Sequence, residues 1–222
     1  MLSRLLAMGI VVVLTAGFGA TPGVAQNEDG AMPAAQNPSL VAILDRLSEN
    51  PYSPEQYGAK ITLKVKLKIF PWISIRLNGN SFYKRPGLYR FVFRGVPKAA
   101  ESFHNLTYDL GTPNAWPDKY DIALQSAPSD GHDAVVRLTP KKAVMVKYLD
   151  VSIDPISGHM DKAVWSRNDG GTITLVQKYV PIGEKLIVSH QEAEIAIPHM
   201  RAELSADYSD FDQSASEETF DK

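Results

Sequence analysis

Between Ile61 and Ile69 the apolar residues fall at every second position: Ile61, Leu63, Val65, Leu67 and Ile69 alternate with Thr62, Lys64, Lys66 and Lys68. A period of two sends alternate side chains to opposite faces of a pleated strand, so this segment predicts a long strand with one apolar and one wet face. After a break at Pro71, Ile73, Ile75 and Leu77 continue the alternation against Ser74 and Arg76, and Asn78-Gly79-Asn80 predicts a turn or bulge. Tyr89, Phe91 and Phe93 then alternate with Arg90, Val92 and Arg94, giving a third strand that is aromatic on one face.

Upstream the period changes. Leu40, Ile43, Leu44 and Leu47 recur at i, i+3, i+4 and i+7, with Asn37 placed to cap and Pro38 at the first helical position. Ala99, Phe103 and Leu106 also fall at helical spacing and predict a second, short helix, followed by a loop with Pro113, Trp116 and Pro117. Strand-like runs resume at Tyr120–Ser126, Ala134–Thr139, Val144–Ile153, Met160–Arg167, Thr172–Val180, Leu186–Ile197 and Met200–Tyr208. Asp130-Gly131, Asp154-Pro155, Asp169-Gly170-Gly171 and Pro181 with Gly183 punctuate them, so most joins are hairpins. About ten antiparallel strands with helices before and within the series predict an α+β fold: a large curved sheet, with helices on its concave face.

The ends differ from this middle. Arg4, the apolar run from Leu5 to Ala20 and Gly23-Val24-Ala25 have the layout of a secretory signal peptide over residues 1–25, cleaved after Ala25. The alternative is a retained anchor, but the run falls short of the ~20 residues that span a bilayer. Residues 26–36 are small and polar and predict a flexible linker. Residues 37–208 form the domain, and the acidic segment 209–222 predicts a disordered extension. With no cysteine in the chain, disulfides, thiolate metal sites and a cysteine nucleophile are excluded, as is lipidation of a mature N-terminal cysteine. A diffusible, monomeric periplasmic protein is expected.

Loss of residues 1–25 removes only Arg4, leaving 22 basic and 25 acidic residues and a formal net charge of −3. Yet Lys60 to Lys98 holds ten Lys or Arg and no Asp or Glu. That stretch is either the solvated face of amphipathic strands or a patch that draws the protein to an anionic partner. The histidines at 104, 132, 159, 190 and 199 are too scattered for a local metal motif. Phosphate-binding loops, nucleophile elbows and HExxH are all missing. Asp150 and Asp154 share one side of a strand by parity, but carboxylates near a turn ordinarily face solvent. Asn105-Leu106-Thr107 matches the N-glycosylation pattern, which is common by chance. No enzyme, cofactor, metal or nucleic-acid partner is expected.

The stretch Gly79-Asn80-Ser81-Phe82-Tyr83-Lys84-Arg85-Pro86-Gly87-Leu88-Tyr89-Arg90-Phe91 resembles the bacterial outer-membrane lipoprotein carriers, the LolA/LolB-like proteins. In that family a glycine and hydrophobic strand lead through a Lys-Arg-Pro turn into an aromatic strand. Looser similarity covers Leu138-Thr139-Pro140-Lys141 and the hairpins from Val151 to Val180. The resemblance implies a half-open β-barrel with an apolar interior, covered by helices acting as a lid. Such a protein carries acyl chains of lipoproteins or lipids from an inner-membrane donor to an outer-membrane acceptor. On that reading Leu63, Val65, Leu67, Ile75, Leu77, Tyr89, Phe91 and Phe93 line the cavity, and Leu40, Ile43, Leu44, Leu47, Phe103 and Leu106 form the lid. Arg85 takes the position of the family arginine that bonds lid backbone and keeps the empty state closed. For each lining residue, plain core packing is the competing explanation. Asp109-Leu110-Gly111-Thr112-Pro113 running into Trp116 departs from the family's Asp-Gly turn and aromatic strand. An envelope-stress sensing or regulatory binding module on the same fold is the alternative.

Overall fold

The alternating segments pair into one antiparallel sheet in a computed structural model, which describes residues 38–68, 74–85, 87–96, 105–109, 113–129, 133–198 and 200–216. The strands are β1 (Gln56–Leu67), β2 (Ser74–Lys84), β3 (Leu88–Arg94), β4 (Asn105–Asp109), β5 (Tyr120–Ser126) and β6 (Ala134–Pro140). They continue with β7 (Val146–Ile153), β8 (Met160–Arg167), β9 (Thr172–Ile182), β10 (Lys185–Ile197) and β11 (Met200–Asp212). Helix α1 (Pro38–Glu49) precedes them, and a 3-10 turn (Pro113–Ala115) runs into the one-turn helix α2 (Trp116–Lys119). The strand order is β4-β3-β2-β1-β11-β10-β9-β8-β7-β6-β5. Two meanders therefore meet where the first strand pairs with the last.

This order forces curvature. Eleven strands laid flat at ~4.8 Å spacing would hold the edges β4 and β5 about 48 Å apart. Residues 110–119 are all that join those edges, and even fully extended that connection spans less than ~40 Å. Much of it is helical turn, which rises only ~1.5–2 Å per residue. The sheet must curl, and strand twist lets it do so without closing. The short strands β4 and β5 stand at the open edges.

Register carries the apolar parity around the curve. Ile75, Val65, Leu204, Ala193, Leu175, Ala163, Val151, Val136 and Leu124 are successive ladder partners, one unbroken apolar row across nine strands. A parallel row runs Leu67, Ala202, Ile195, Ile173, Trp165, Leu149, Leu138, Ile122. Onto this face α1 presses the buried Leu40 and Ile43, with Leu44 and Leu47 partly buried beside them. The opposite face is polar: Lys60 pairs with Asp210 at 2.6 Å, Lys64 with Asp207 at 3.0 Å and Lys68 with Glu203 at 2.7 Å. Lys60 and Lys64 of β1 and Lys68 just after it are thus matched by acids on β11, and Lys66 stands opposite Glu203 in register, so that part of the basic stretch is not an open anion-attracting patch.

Several elements differ from the sequence expectation. Asn78-Gly79-Asn80 makes no turn but lies inside β2, where Gly79 opposes Phe93. A Cβ at Gly79 would collide with Val92 O and come within 2.9 Å of Phe93 Cα, so glycine is kept for close approach to β3. Leu106 is not helical but lies in β4, opposite Phe91. Ala99 and Phe103 fall outside the described residues, and the second helical piece sits instead at Pro113–Lys119, with Trp116 packed on the core. Strand β11 runs to Asp212 and Ala215 is buried, so the order of the domain reaches into the acidic segment read as an extension. The signal segment, Asn37, Pro71, His104, His132 and His199 lie outside the described residues. No described helix is long and apolar enough to cross a membrane.

Candidate functional site

The concave face is graded along the barrel axis. At one end are the aliphatic rows; towards the other, the inward positions become Tyr57, Tyr83, Tyr89, Tyr179 and Tyr208 with Gln177 and Gln191. Every cavity-lining residue expected from sequence lies on this one face, as the register shows for Leu63 opposite Leu77, Val65 opposite Ile75 and Tyr83 opposite Tyr89. Leu63 and Phe93 are 0% exposed and Leu77 and Phe91 are 1% exposed, so water does not reach them. Phe91 stacks between Tyr89 and Phe93, with ring centroids 6.1 and 6.4 Å apart. Open clefts lie elsewhere. One of about 720 Å³ sits at the aliphatic end beside Lys68, Asp169 and Met200, and one of about 510 Å³ lies on the outer face beside Lys64, Glu192 and Glu203.

Helix α1, the expected lid, is held by polar contacts at the tyrosine end. Arg85, in the β2–β3 turn, donates to Asn50 O at 2.7 Å, to Glu49 O and to Glu55 Oε1 at 2.8 Å. A helix leaves its last carbonyls without partners; here one guanidinium nitrogen, Nη2, donates to both, while Nη1 holds Glu55. Asn50 ends α1 in a left-handed conformation, φ +32°, a common helix stop. Arg46 Nε donates to Ile156 O at 2.8 Å in the β7–β8 turn. There Gly158, at φ +72°, lets α1 approach so closely that a Cβ would sit 2.5 Å from Arg46 O. Ser48 Oγ donates to Asn114 Oδ1 at 2.7 Å, and Lys185 Nζ donates to Pro51 O at 3.0 Å. Four separate connections therefore clasp one helix and the turn after it.

At the tyrosine end of the concave face a belt of neutral groups crosses four strands. Tyr208 Oη donates to Gln191 Oε1 at 2.7 Å, and Gln191 Nε2 donates to Gln177 Oε1 at 2.6 Å. Gln177 Nε2 donates to Met160 O at 2.9 Å, which also accepts from Tyr179 Oη at 2.7 Å. Ser53 Oγ and Tyr83 Oη share a hydrogen bond of 3.0 Å. Burial pushes the phenols of Tyr57, Tyr83, Tyr89, Tyr179 and Tyr208 up, so all are neutral. His159 is 4% exposed, stands edge-on to Tyr179 at 4.5 Å, and neither ring nitrogen has a hydrogen-bond partner among the described residues. Burial pushes its pKa down.

Asp133, Asp154 and Asp161 bring carboxylate oxygens within 4.8 Å of one another at this end, a convergence that sequence spacing did not single out. Burial, and then Asp133 and Asp154, push Asp161 up to about 6. Asp154 Oδ1 accepts from the backbone N–H of Ile156 and Ser157, so it builds its own turn. Asp150 is held by both Arg137 nitrogens at 2.7 and 2.8 Å, and hence Asp150 and Asp154 are separately engaged. Of the other histidines described, His190 bridges Asp207 and Glu192.

No family model and no curated protein matches the chain. Solved structures do. A DUF1329 family protein from Desulfovibrio piger aligns over 83% of this chain and 98% of its own, with a TM-score of 0.57 and 13% identity. A domain assigned to the outer-membrane lipoprotein-sorting proteins, from Vibrio parahaemolyticus, covers 79% of this chain and 94% of its own, at TM-score 0.55 and 11% identity. A LolA superfamily protein from Nitrosomonas europaea covers 81% and 95%, at TM-score 0.50 and 11% identity. The curved eleven-stranded sheet with its clasped helix has the LolA-like half-open barrel fold.

Proposed function

We propose that the protein is a soluble periplasmic carrier that binds acyl chains of lipoproteins or lipids between the concave face and α1. The observation that carries this reading is the apolar row unbroken across nine strands, covered by a helix attached through a few polar bonds. An ordinary core needs no detachable cover; a carrier does. Each buried methylene contributes about 0.8 kcal/mol, so a 16-carbon chain gains roughly 12 kcal/mol; that gain opposes a handful of hydrogen bonds worth ~1–3 kcal/mol each, while the acyl chain takes over the apolar contacts of Leu40, Ile43, Leu44 and Leu47. The water-free contacts of Leu63 and Phe93 correspond to the closed, empty state. Cargo arrives from an inner-membrane donor and leaves to an outer-membrane acceptor, with this chain as the diffusing intermediate.

Organic extraction and mass spectrometry of the purified protein test the proposal, together with uptake of a fluorescent acyl probe. Bound acyl lipid, or saturable uptake that competes with it, is expected. Protein that is empty in repeated preparations and also refuses the probe would sink the carrier reading. A stable protein complex without lipid transfer between vesicles would favour the regulatory module.

A further inference from the structure

We propose that the Tyr208–Gln191–Gln177–Tyr179 belt and His159 form a head-group subsite, which takes the uncharged, hydroxyl- or carbonyl-bearing head of an amphiphile whose chains lie along the aliphatic rows. The inference rests on the carrier reading and specifies its cargo. Three observations lead to it. Inward positions of β9 and β10 are aliphatic at Ile173, Leu175, Ala193 and Ile195, then switch to glutamine at 177 and 191, which face each other in register. A protein that only packed a dry core would gain by continuing the aliphatic rows, because polar groups buried there contribute only when fully paired. The belt is nearly self-paired, but His159 is less so: its imidazole feels the backbone of Leu186 and Ser157, yet neither buried ring nitrogen makes a well-formed hydrogen bond among the described residues, which leaves an under-satisfied group beside Tyr179.

Electrostatics chooses the class of head. The belt itself holds no Lys or Arg; Arg85 turns its donors to Glu49 O, Asn50 O and Glu55, and Arg46 lies over the Tyr52 ring with its Nε on Ile156 O. At this end of β7 and β8 three carboxylates converge, Asp133, Asp154 and Asp161, while Lys162 is exposed, and the carboxylates oppose an anionic phosphate. Phenols and amides are both donors and acceptors, and suit glyceryl esters, free hydroxyls or sugars. They offer no proton at neutral pH, so the belt binds rather than reacts.

The test compares a palmitoyl monoacylglycerol with palmitoyl lysophosphatidate, which share chain and glycerol and differ by the phosphate. Both are titrated below their micellar concentrations against protein loaded with a fluorescent acyl probe. Wild type should bind the monoacylglycerol about tenfold tighter, the scale of one buried polar group satisfied or left unpaired. His159→Phe should erase that preference, bringing the two affinities within about twofold of each other. Gln177→Met serves as a second variant, so that a misfolded His159→Phe leaves the question decidable. Equal wild-type affinities, or a preference that survives in the folded variants, overturns the subsite while leaving the carrier intact. Failure of both lipids to displace the probe overturns both.

Discussion

Arg85 concentrates the lid problem in one side chain. Its guanidinium bonds Glu49 O, Asn50 O and Glu55 Oε1, so it closes the end of α1 and ties that end to the β2–β3 turn. Charged hydrogen bonds of this kind contribute about 1.5–3 kcal/mol. Arg85→Leu should therefore leave the barrel folded but loosen residues 46–53, with faster amide exchange there and a several-fold change in release of a bound acyl probe. Exchange and release both unchanged would remove Arg85 from the mechanism. Arg85→Lys should rescue only in part, because an ammonium lacks the planar fork that bonds the two carbonyls through one nitrogen and Glu55 through the other. A second residue tests the sheet. Gly79→Ala places a methyl against the backbone of β3 at Val92 and Phe93, where nothing flexible can yield. It should cost about 1–3 kcal/mol in urea unfolding, the range for overpacking; an unmeasurable loss would mean that β3 moves freely.

At the scale of elements, period-two alternation was legible because each face meets a uniform environment: β5 and β8 fall at the residues expected, β3, β6, β7, β9 and β10 differ by one or two residues at an end, and β1, β2 and β11 run further than expected. What failed was local. Asn-Gly-Asn reads as a turn in isolation, but pairing on both sides of β2 holds it extended. Ala99, Phe103 and Leu106 share helical spacing, yet Asn105–Asp109 also alternates, and the ladder with β3 decides for strand. Gln177 and Gln191 were visible as polar residues at inward parity, but their facing each other is a property of register, and no spacing along the chain reveals it. The same holds for the three aspartates that meet at the ends of β6, β7 and β8. Asp161 sits at about 6 in the fold, against roughly 3.9 for a free carboxyl, so the fold retains a proton that the unfolded chain releases. Ionisation of Asp161 therefore lowers stability as pH rises through that window. His159 has the opposite sign: held neutral by burial, it lets the unfolded chain bind protons preferentially as pH falls below its ordinary value of about 6.5, and stability falls with it. Asp161→Asn should raise Tm by ~2 °C at about pH 7.5 and change it little at about pH 4. Thermal melts across that range check this, and an equal gain at both ends would mean that charge is not the cause.

For the whole molecule, the proposed carrier function requires α1 to leave the barrel. Its contacts are spread over four separate connections: β2–β3 through Arg85, β7–β8 through Arg46, β4–β5 through Ser48 and β9–β10 through Lys185 bonding Pro51. The Arg85 bonds satisfy carbonyls that any helix end leaves open, whereas those of Arg46, Ser48 and Lys185 add a directional hold beyond the packing of the stripe. The chain has no cysteine, so two introduced thiols are the only ones to react. Ser48→Cys with Asn114→Cys places them on side chains now 2.7 Å apart, within reach of a short bismaleimide. Cross-linked protein should keep its circular dichroism spectrum and its Tm, or gain a few degrees, while uptake of the fluorescent acyl probe slows at least tenfold, about 1.4 kcal/mol in barrier. The unlinked double variant should load as the wild type does, which separates the tether from the substitutions. If tethered protein loads at the wild-type rate, lipid enters by another route, and the open edge between β4 and β5 becomes the entrance to examine, since the sheet is not sealed there by a twelfth strand among the described residues.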